Sequence, residues 1–349
     1  MEHLLVMKLH QNKALFKDAV IATSQRLGIP EIYIEKDYWV TIALYEIFHS
    51  EIAKQAVFKG GTALSKCYKL VERFSEDVDI VIIKNEGESS NQLKNKIKAI
   101  TEVVSKIMPE IEIEGITNKM GQIRKTAHQY NREDLKGTFG QVREHIIVEA
   151  TWLGSSYPFI TAEVSCYISE MMIATEQVAL IKEYNLTPFP VKVLSKERTL
   201  CEKIMSLVRF SLTENPYTDL ANKIRHIYDL HQMLKNKEIE DFFNGPEFDT
   251  LLVRVGNDDV ISFKNNNEWL KKHPKDAIIF KDPQGTWDKI KTPYNTTFKD
   301  LVIGDLPPEK DIVNTLQRIE NRLQGIKWDI VTGEYPHEQP HIANPLPSL

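Results

Sequence analysis

Apolar residues along this chain recur with two periods, and the alternation between them outlines its organisation. Tyr38-Trp39, Ile42-Ala43 and Ile47-Phe48 return every three to four residues, which predicts a helix over residues 31–49. Another helix is predicted over 11–28, with Gly28 and Pro30 separating the two. Val57-Phe58 is a short apolar run that stops at Gly60-Gly61, and Thr62 then opens a predicted helix to residue 71. The run from Val78 to Ile83 is β-branched and apolar, which predicts a strand. A helix is expected over 91–108 and two further strands around 146–149 and 160–164, while 110–145 has no dominant period. From Ser195 onward the pattern is helical. Leu200, Ile204, Leu207 and Val208 follow one helical face behind Ser195 as the N-cap. A second helix over 218–234 is marked by Leu220, Ile224, Ile227 and Leu234.

This order of elements predicts an α+β fold with a mainly helical C-terminal domain. The composition shift at Pro188-Phe189-Pro190 places the expected boundary. The expected division is 1–190, with the strands and N-terminal helices, 191–335, mainly helical, and 336–349, a proline-rich extended tail.

Of the 349 residues, 42% are hydrophobic and 27% charged, an ordinary globular composition. A net charge of -5 removes the strongly basic balance expected of a general nucleic-acid binder. A local exception is the stretch 119–143. There Lys119, Arg124, Lys125, Arg132, Lys136 and Arg143 face only Glu133 and Asp134, a net of +4. Cys67, Cys166 and Cys201 are far apart and form no CxxC pair, which argues for a reducing compartment and against a thiolate metal site. No segment has the apolar length to cross a bilayer and no signal-peptide pattern opens the chain. The expected location is cytoplasmic, with no membrane partner.

The chemistry concentrates in one segment. Asp77 and Asp79 lie two apart at the start of a strand, so both carboxylates point to one face while Val78 and Ile80 enter the core. Adjacent carboxylates repel unless a cation sits between them, and hard oxygen ligands suit magnesium shared with substrate phosphates. Upstream, Gly60-Gly61 follows a strand and precedes a helix, and glycine lets a phosphate approach the backbone. Thr62 adds a hydroxyl, and Lys66 shares its helical side. The spacings of a P-loop and of a dinucleotide fingerprint are both absent. In the later helix Lys196, Thr199 and Lys203 share one face. Asp229 lies four residues after Arg225, the spacing of a helix ion pair. His226 and His231 read as structural.

Taken together, Lys59-Gly60-Gly61-Thr62-Ala63-Leu64-Ser65-Lys66, Arg73-Phe74-Ser75 and Asp77-Val78-Asp79-Ile80 resemble the polymerase-β-like nucleotidyltransferases. More closely, they resemble the AbiEii/AbiGii-type nucleotidyltransferase toxins of bacterial toxin–antitoxin and phage-abortive systems. The likeness extends to Glu35-Lys36-Asp37-Tyr38-Trp39-Val40, to Lys196-Glu197-Arg198-Thr199 with Glu202-Lys203, and to Arg225-His226-Ile227-Tyr228-Asp229-Leu230. It implies a small mixed sheet flanked by helices. Lys59, Gly60, Gly61, Thr62, Lys66, Arg73, Ser75 and Lys196 would bind the nucleoside triphosphate, with Lys36 and Asp37 as secondary contacts. Asp77 and Asp79 would hold magnesium or manganese, with a third carboxylate on a later strand: Glu149, or its rival Glu163. Lys203 and Asp229 would complete the catalytic set. The implied reaction moves a nucleotidyl group to an acceptor hydroxyl, with a transfer RNA 3′ end as the leading acceptor and the 119–143 stretch as its contact. A cognate antitoxin would be a further partner. Modification of a protein or small molecule, and nucleotide binding without turnover, are the alternatives.

Overall fold

Strand-forming residues gather into one mixed sheet of seven strands: β1 (Ala56–Lys59), β2 (Asp77–Ile82), β3 (Glu110–Ile111), β4 (Ile123–His128), β5 (Ile146–Thr151), β6 (Phe159–Val164) and β7 (Phe189–Leu194). The computed structural model describes residues 8–136, 142–263 and 266–332. Spatial order is β3-β4-β5-β2-β1-β7-β6. The β1–β2, β3–β4, β4–β5 and β6–β7 pairs are antiparallel, and β1–β7 and β2–β5 are parallel. This is the mixed sheet flanked by helices that the resemblance implies.

Before and among the strands come α1 (Lys13–Leu27), α2 (Glu31–Phe48), α3 (Gly60–Lys66), α4 (Ser90–Ser105), α5 (Tyr167–Ala174) and α6 (Val178–Glu183). After them follow α7 (Lys196–Phe210), α8 (Pro216–Ala221), α9 (Ile224–Met233), α10 (Lys237–Asn244), α11 (Pro246–Ser262), α12 (Ile278–Lys281), α13 (Pro283–Ile290) and α14 (Glu309–Leu323). Buried apolar side chains form one contiguous cluster from Leu9 to Ile330. Val78, Ile80 and Ile82 belong to it, together with Phe58 and Val148 from the neighbouring strands. On the opposite sheet face Val57, Val81 and Leu194 form a small separate cluster. That second face is therefore free to carry polar chemistry, and it is the face to which Asp77 and Asp79 point.

Several local expectations change. The helix expected from Thr62 to residue 71 is α3, which begins at Gly60 and ends at Lys66. Lys69 takes a left-handed φ of 53°, and the Leu70 N–H closes onto the Leu64 carbonyl, the usual geometry of a helix stop. The helix expected over 218–234 is two helices, α8 and α9, broken at Asn222-Lys223. The stretch 110–145, without a clear period in sequence, contains β3 and β4. β4 buries polar residues in pairs, Thr126 Oγ1 lying 2.8 Å from His128 Nε2, so its alternation is hidden from a hydrophobic reading. Pro188-Phe189-Pro190 leads into β7, which lies between β1 and β6. Ser195 does cap α7, its side chain accepting from the Arg198 N–H. The proline-rich tail at 336–349 lies outside the described residues. Among those residues no helix is long and apolar enough to cross a membrane, and the three cysteines are free thiols.

Candidate active site

Strand register assembles the centre of the site. Lys59 on β1 pairs with Asp79 on β2, Asp79 with Glu149 on β5, and Glu149 with Lys125 on β4. Cross-strand partners share a face, so this face carries a charge row of lysine, aspartate, glutamate, lysine. Asp77 lies two residues before Asp79, on the same side. Lys125 Nζ is 3.4 Å from Glu149 Oε2, and Arg143 donates to Asp77 Oδ1 at 2.9 Å. Burial, then the charges of Glu149 and Asp77, push the Asp79 carboxyl up to about 7, against the pull of Lys59 and Lys125. Glu163, the other contender for third carboxylate, sits on the edge strand β6 opposite Pro190, three strands from β2. Glu149 is the one beside Asp79.

The glycine turn closes against this row. Gly60 has φ 82°, and a Cβ there would lie 2.2 Å from Asp79 Oδ2. A Cβ on Gly61 would lie 2.3 Å from Arg73 Nη2 and 3.2 Å from Ser75 Oγ. Thr62 donates to the Asp77 carbonyl at 2.6 Å and its hydroxyl is 2.9 Å from that of Ser75. Glycine is thus favoured at 60 by its left-handed conformation, and at both positions it lets the Asp79 and Arg73 side chains approach the backbone. Replacing Gly60 with alanine should cost about 1–2 kcal/mol in backbone strain and displace the Asp79 carboxylate. Nucleotidyl transfer should fall by about 10²-fold or more, the scale of a small misplacement at a reacting centre. Steady-state kinetics on Gly60→Ala checks this, and a rate near that of the parent protein would contradict the close fit.

Behind the turn stands a buried charge triad. Asp229 accepts from Arg73 Nε at 2.7 Å and Nη2 at 2.8 Å, and Lys203 Nζ is 2.8 Å away. Burial alone would raise the Asp229 carboxyl, but Arg73 and Lys203 outweigh it and hold it well below the usual carboxylate range. The helix pair that spacing allows between Arg225 and Asp229 does not form, because Asp229 turns inward to these two partners. Arg225 instead lies where it senses Arg73, Asp77, Glu76 and Arg143. His226 is kept neutral by burial and by Lys203 and Lys223.

Other expected contacts are distributed differently. Lys36 is fully buried, 3.0 Å from Glu76, and donates to the carbonyls of Arg143 and His145. It therefore anchors the segment that presents Arg143 to Asp77. Lys66 and Asp37 pair with each other at 2.6 Å, and Lys66 also donates to Thr41 and the Ser165 carbonyl. That places them at the α2–α3–α5 junction rather than on the carboxylate row. Lys196 pairs with Glu238. Sequence reasoning gave no role to Glu76, which binds both Lys36 and Arg143, or to Glu202, 3.5 Å from Lys59. In the basic stretch, Lys119 pairs with Glu110 and Glu112, Arg124 with Glu110, and Arg132 with Glu144. Together with Lys125 and Arg143, five of its six cations are neutralised within the chain. Residues 137–141 of that stretch lie outside the described ones.

The donor set fits a hard divalent cation: three carboxylates on one sheet face, one of them raised by burial and then by its neighbours' negative charge. Among the described residues no three such groups converge tightly enough to hold an ion as they stand. Asp77 is drawn to Arg143 and Glu149 to Lys125, as expected of carboxylates that answer each other's repulsion with the nearest bases.

Comparison with known proteins follows the same lines. No protein of curated function matches the chain by sequence. Among solved structures it is similar to MenT4, a nucleotidyltransferase toxin from Mycobacterium tuberculosis H37Rv. The match has 18% identity and a TM-score of 0.43, and covers 88% of this chain and 98% of that one. The family described as nucleotidyl transferase AbiEii toxin, type IV toxin–antitoxin system, matches residues 42–314. The charge row, the glycine turn and the buried triad all lie within those residues, and the chain belongs to the AbiEii family of nucleotidyltransferase toxins.

Proposed function

We propose that this nucleotidyltransferase transfers a nucleoside monophosphate from a nucleoside triphosphate to the 3′-terminal hydroxyl of transfer RNA. The observation that carries the reading is the row Lys59–Asp79–Glu149–Lys125 with Gly60 packed against Asp79. The acceptor oxygen forms a bond to the α-phosphorus, the bond to the β-phosphate oxygen breaks, and pyrophosphate leaves. A carboxylate of the row accepts the hydroxyl proton. Gly60, Gly61 and Thr62 would offer their backbone to the triphosphate, and Arg73 and Lys203 would supply positive charge behind it. Asp77, Asp79 and Glu149 would hold a magnesium ion, which when bound neutralises phosphate charge and polarises the reacting phosphorus. Blocking the transfer RNA end would arrest growth in the cytoplasm, and a cognate antitoxin would restrain it.

Incubating the protein with each labelled nucleoside triphosphate, magnesium and total RNA tests this. Label is expected in transfer RNA and is expected to vanish with a chelator. Label found only in protein, or none in any fraction, would overturn the assignment of RNA as acceptor. Expression alone should stop growth.

A further inference from the structure

Where α7 ends and α8 gives way to α9, two cations stand close together without an ion pair among the described residues. Arg209, at the end of α7, lies over the rings of Phe263 and Phe210 at 4.4 and 4.8 Å. Lys223, in the break between α8 and α9, stands over the Phe210 ring at 4.3 Å. Asp259 is the counter-charge that Arg209 senses. Both cations are half-buried. Burial weakens the charged form of each, and Lys223 is weakened further by Arg209 and Lys203, while Glu149 draws on it from the row.

An aromatic ring holds a cation without cancelling its charge. Two cations that repel each other around one phenyl ring are thus fixed in place, with Asp259 and Glu149 near them but neither forming an ion pair with them. The basic stretch 119–143 differs, because its charges are mostly spent on neighbouring carboxylates. A bound anion at Arg209 and Lys223 would relieve both the desolvation and the mutual repulsion. The triphosphate already has its own turn and triad at Gly60, Gly61, Arg73 and Lys203. Lys223 lies within electrostatic reach of Glu149 on the row.

We propose that Arg209 and Lys223 bind the phosphodiester backbone of the acceptor, a single-stranded RNA end, and position its hydroxyl at the carboxylate row. This rests on the RNA reading of the acceptor given above.

The test is fluorescence anisotropy with a labelled single-stranded RNA of about ten nucleotides, beside calorimetry with each nucleoside triphosphate, on the full chain. The double variant Arg209→Gln, Lys223→Gln should bind the RNA about 10–100-fold more weakly. Its dependence of log affinity on log salt should flatten by about 0.7 for each phosphate that the protein no longer neutralises. Triphosphate affinity should stay within about twofold. Arg209→Lys keeps the charge and should bind RNA nearly as the parent does. If the double variant folds poorly, Lys223→Gln alone should show about half the slope change. RNA binding unchanged in a folded variant overturns the subsite alone, as does a loss confined to triphosphate. A parent protein that labels protein and binds no RNA overturns the acceptor reading and this subsite together.

Discussion

Asp79→Asn is expected to abolish nucleotidyl transfer while leaving the folded protein at least as stable as before. The loss should be about 10³-fold or more, because a carboxylate that serves the phosphate cannot be replaced by a neutral amide. Stability should move the other way, because Asp79 stands between Asp77 and Glu149 and its charge is resisted by both. Its carboxyl is pushed up to about 7 in the fold, mainly by burial and then by those two neighbours, against about 3.9 in an unfolded chain. Between those values the folded state binds more protons than the unfolded state, so stability falls as pH rises through the window. The asparagine does not titrate and removes that slope. In metal-free buffer at pH 8 the variant should be more stable by about 1–2 kcal/mol, the usual scale of relief at a strained site. Near pH 4 the two proteins should differ little. Urea unfolding at both pH values, with a chelator present, makes the measurement. A variant less stable at pH 8, or one that keeps its activity, would contradict the charge row as the seat of the reaction. Magnesium added to the parent should recover stability at pH 8, since a cation between the carboxylates removes the same repulsion.

How much of this was legible in the sequence depended on how local the cause was. Asp77 and Asp79 declare their shared face by alternation alone, and Val78 and Ile80 declare the core behind them. Glu149 could be placed because its strand is a plain apolar run. Its lysine neighbour could not, because β4 is polar and its pairing with β5 is decided by tertiary contact. Arg73 and Asp229 are 156 positions apart, so no spacing rule joins them. The nearer candidate, Arg225, misled for that reason: helical spacing allows a pair, but a buried carboxylate takes the partners that also lie in the core. Lys66 shares a helical side with Thr62, yet its long stem carries the ammonium away to Asp37. Cation–ring pairs such as those of Arg209 and Lys223 leave almost no trace in the chain, since neither the ring nor the cation is unusual by itself. Breaks at Lys69 and Asn222-Lys223 were equally silent, as neither carries the glycine or proline that normally marks a stop.

Removal of Asp229 should damage the fold more than any change on the carboxylate row. Its side chain is fully buried and receives two bonds from Arg73 and one from Lys203. Asp229→Ala leaves two cations in the core with no partner, and breaking a buried pair in this way costs about 3–5 kcal/mol. Asp229→Asn keeps the volume but not the charge and should lose nearly as much. Lys203→Met makes the sharper comparison. The triad has one negative and two positive groups, so removing Lys203 leaves a balanced, doubly bonded Arg73–Asp229 pair. That change should cost only about 1 kcal/mol in stability, although transfer should still collapse, because the proposed triphosphate site loses the surplus positive charge beside the glycine turn. The pH dependence has the opposite sign from Asp79. A carboxylate held far below its unfolded value stabilises above about pH 4, and that contribution drains away as pH falls toward the folded value. The parent should therefore lose stability steeply in acid, and Asp229→Asn should show a flatter acid limb from a lower plateau. Thermal unfolding of the three variants between pH 3 and pH 7 separates these outcomes. Equal losses for Asp229→Asn and Lys203→Met would mean that packing, and not the balance of buried charge, holds α7 and α9 behind the glycine turn.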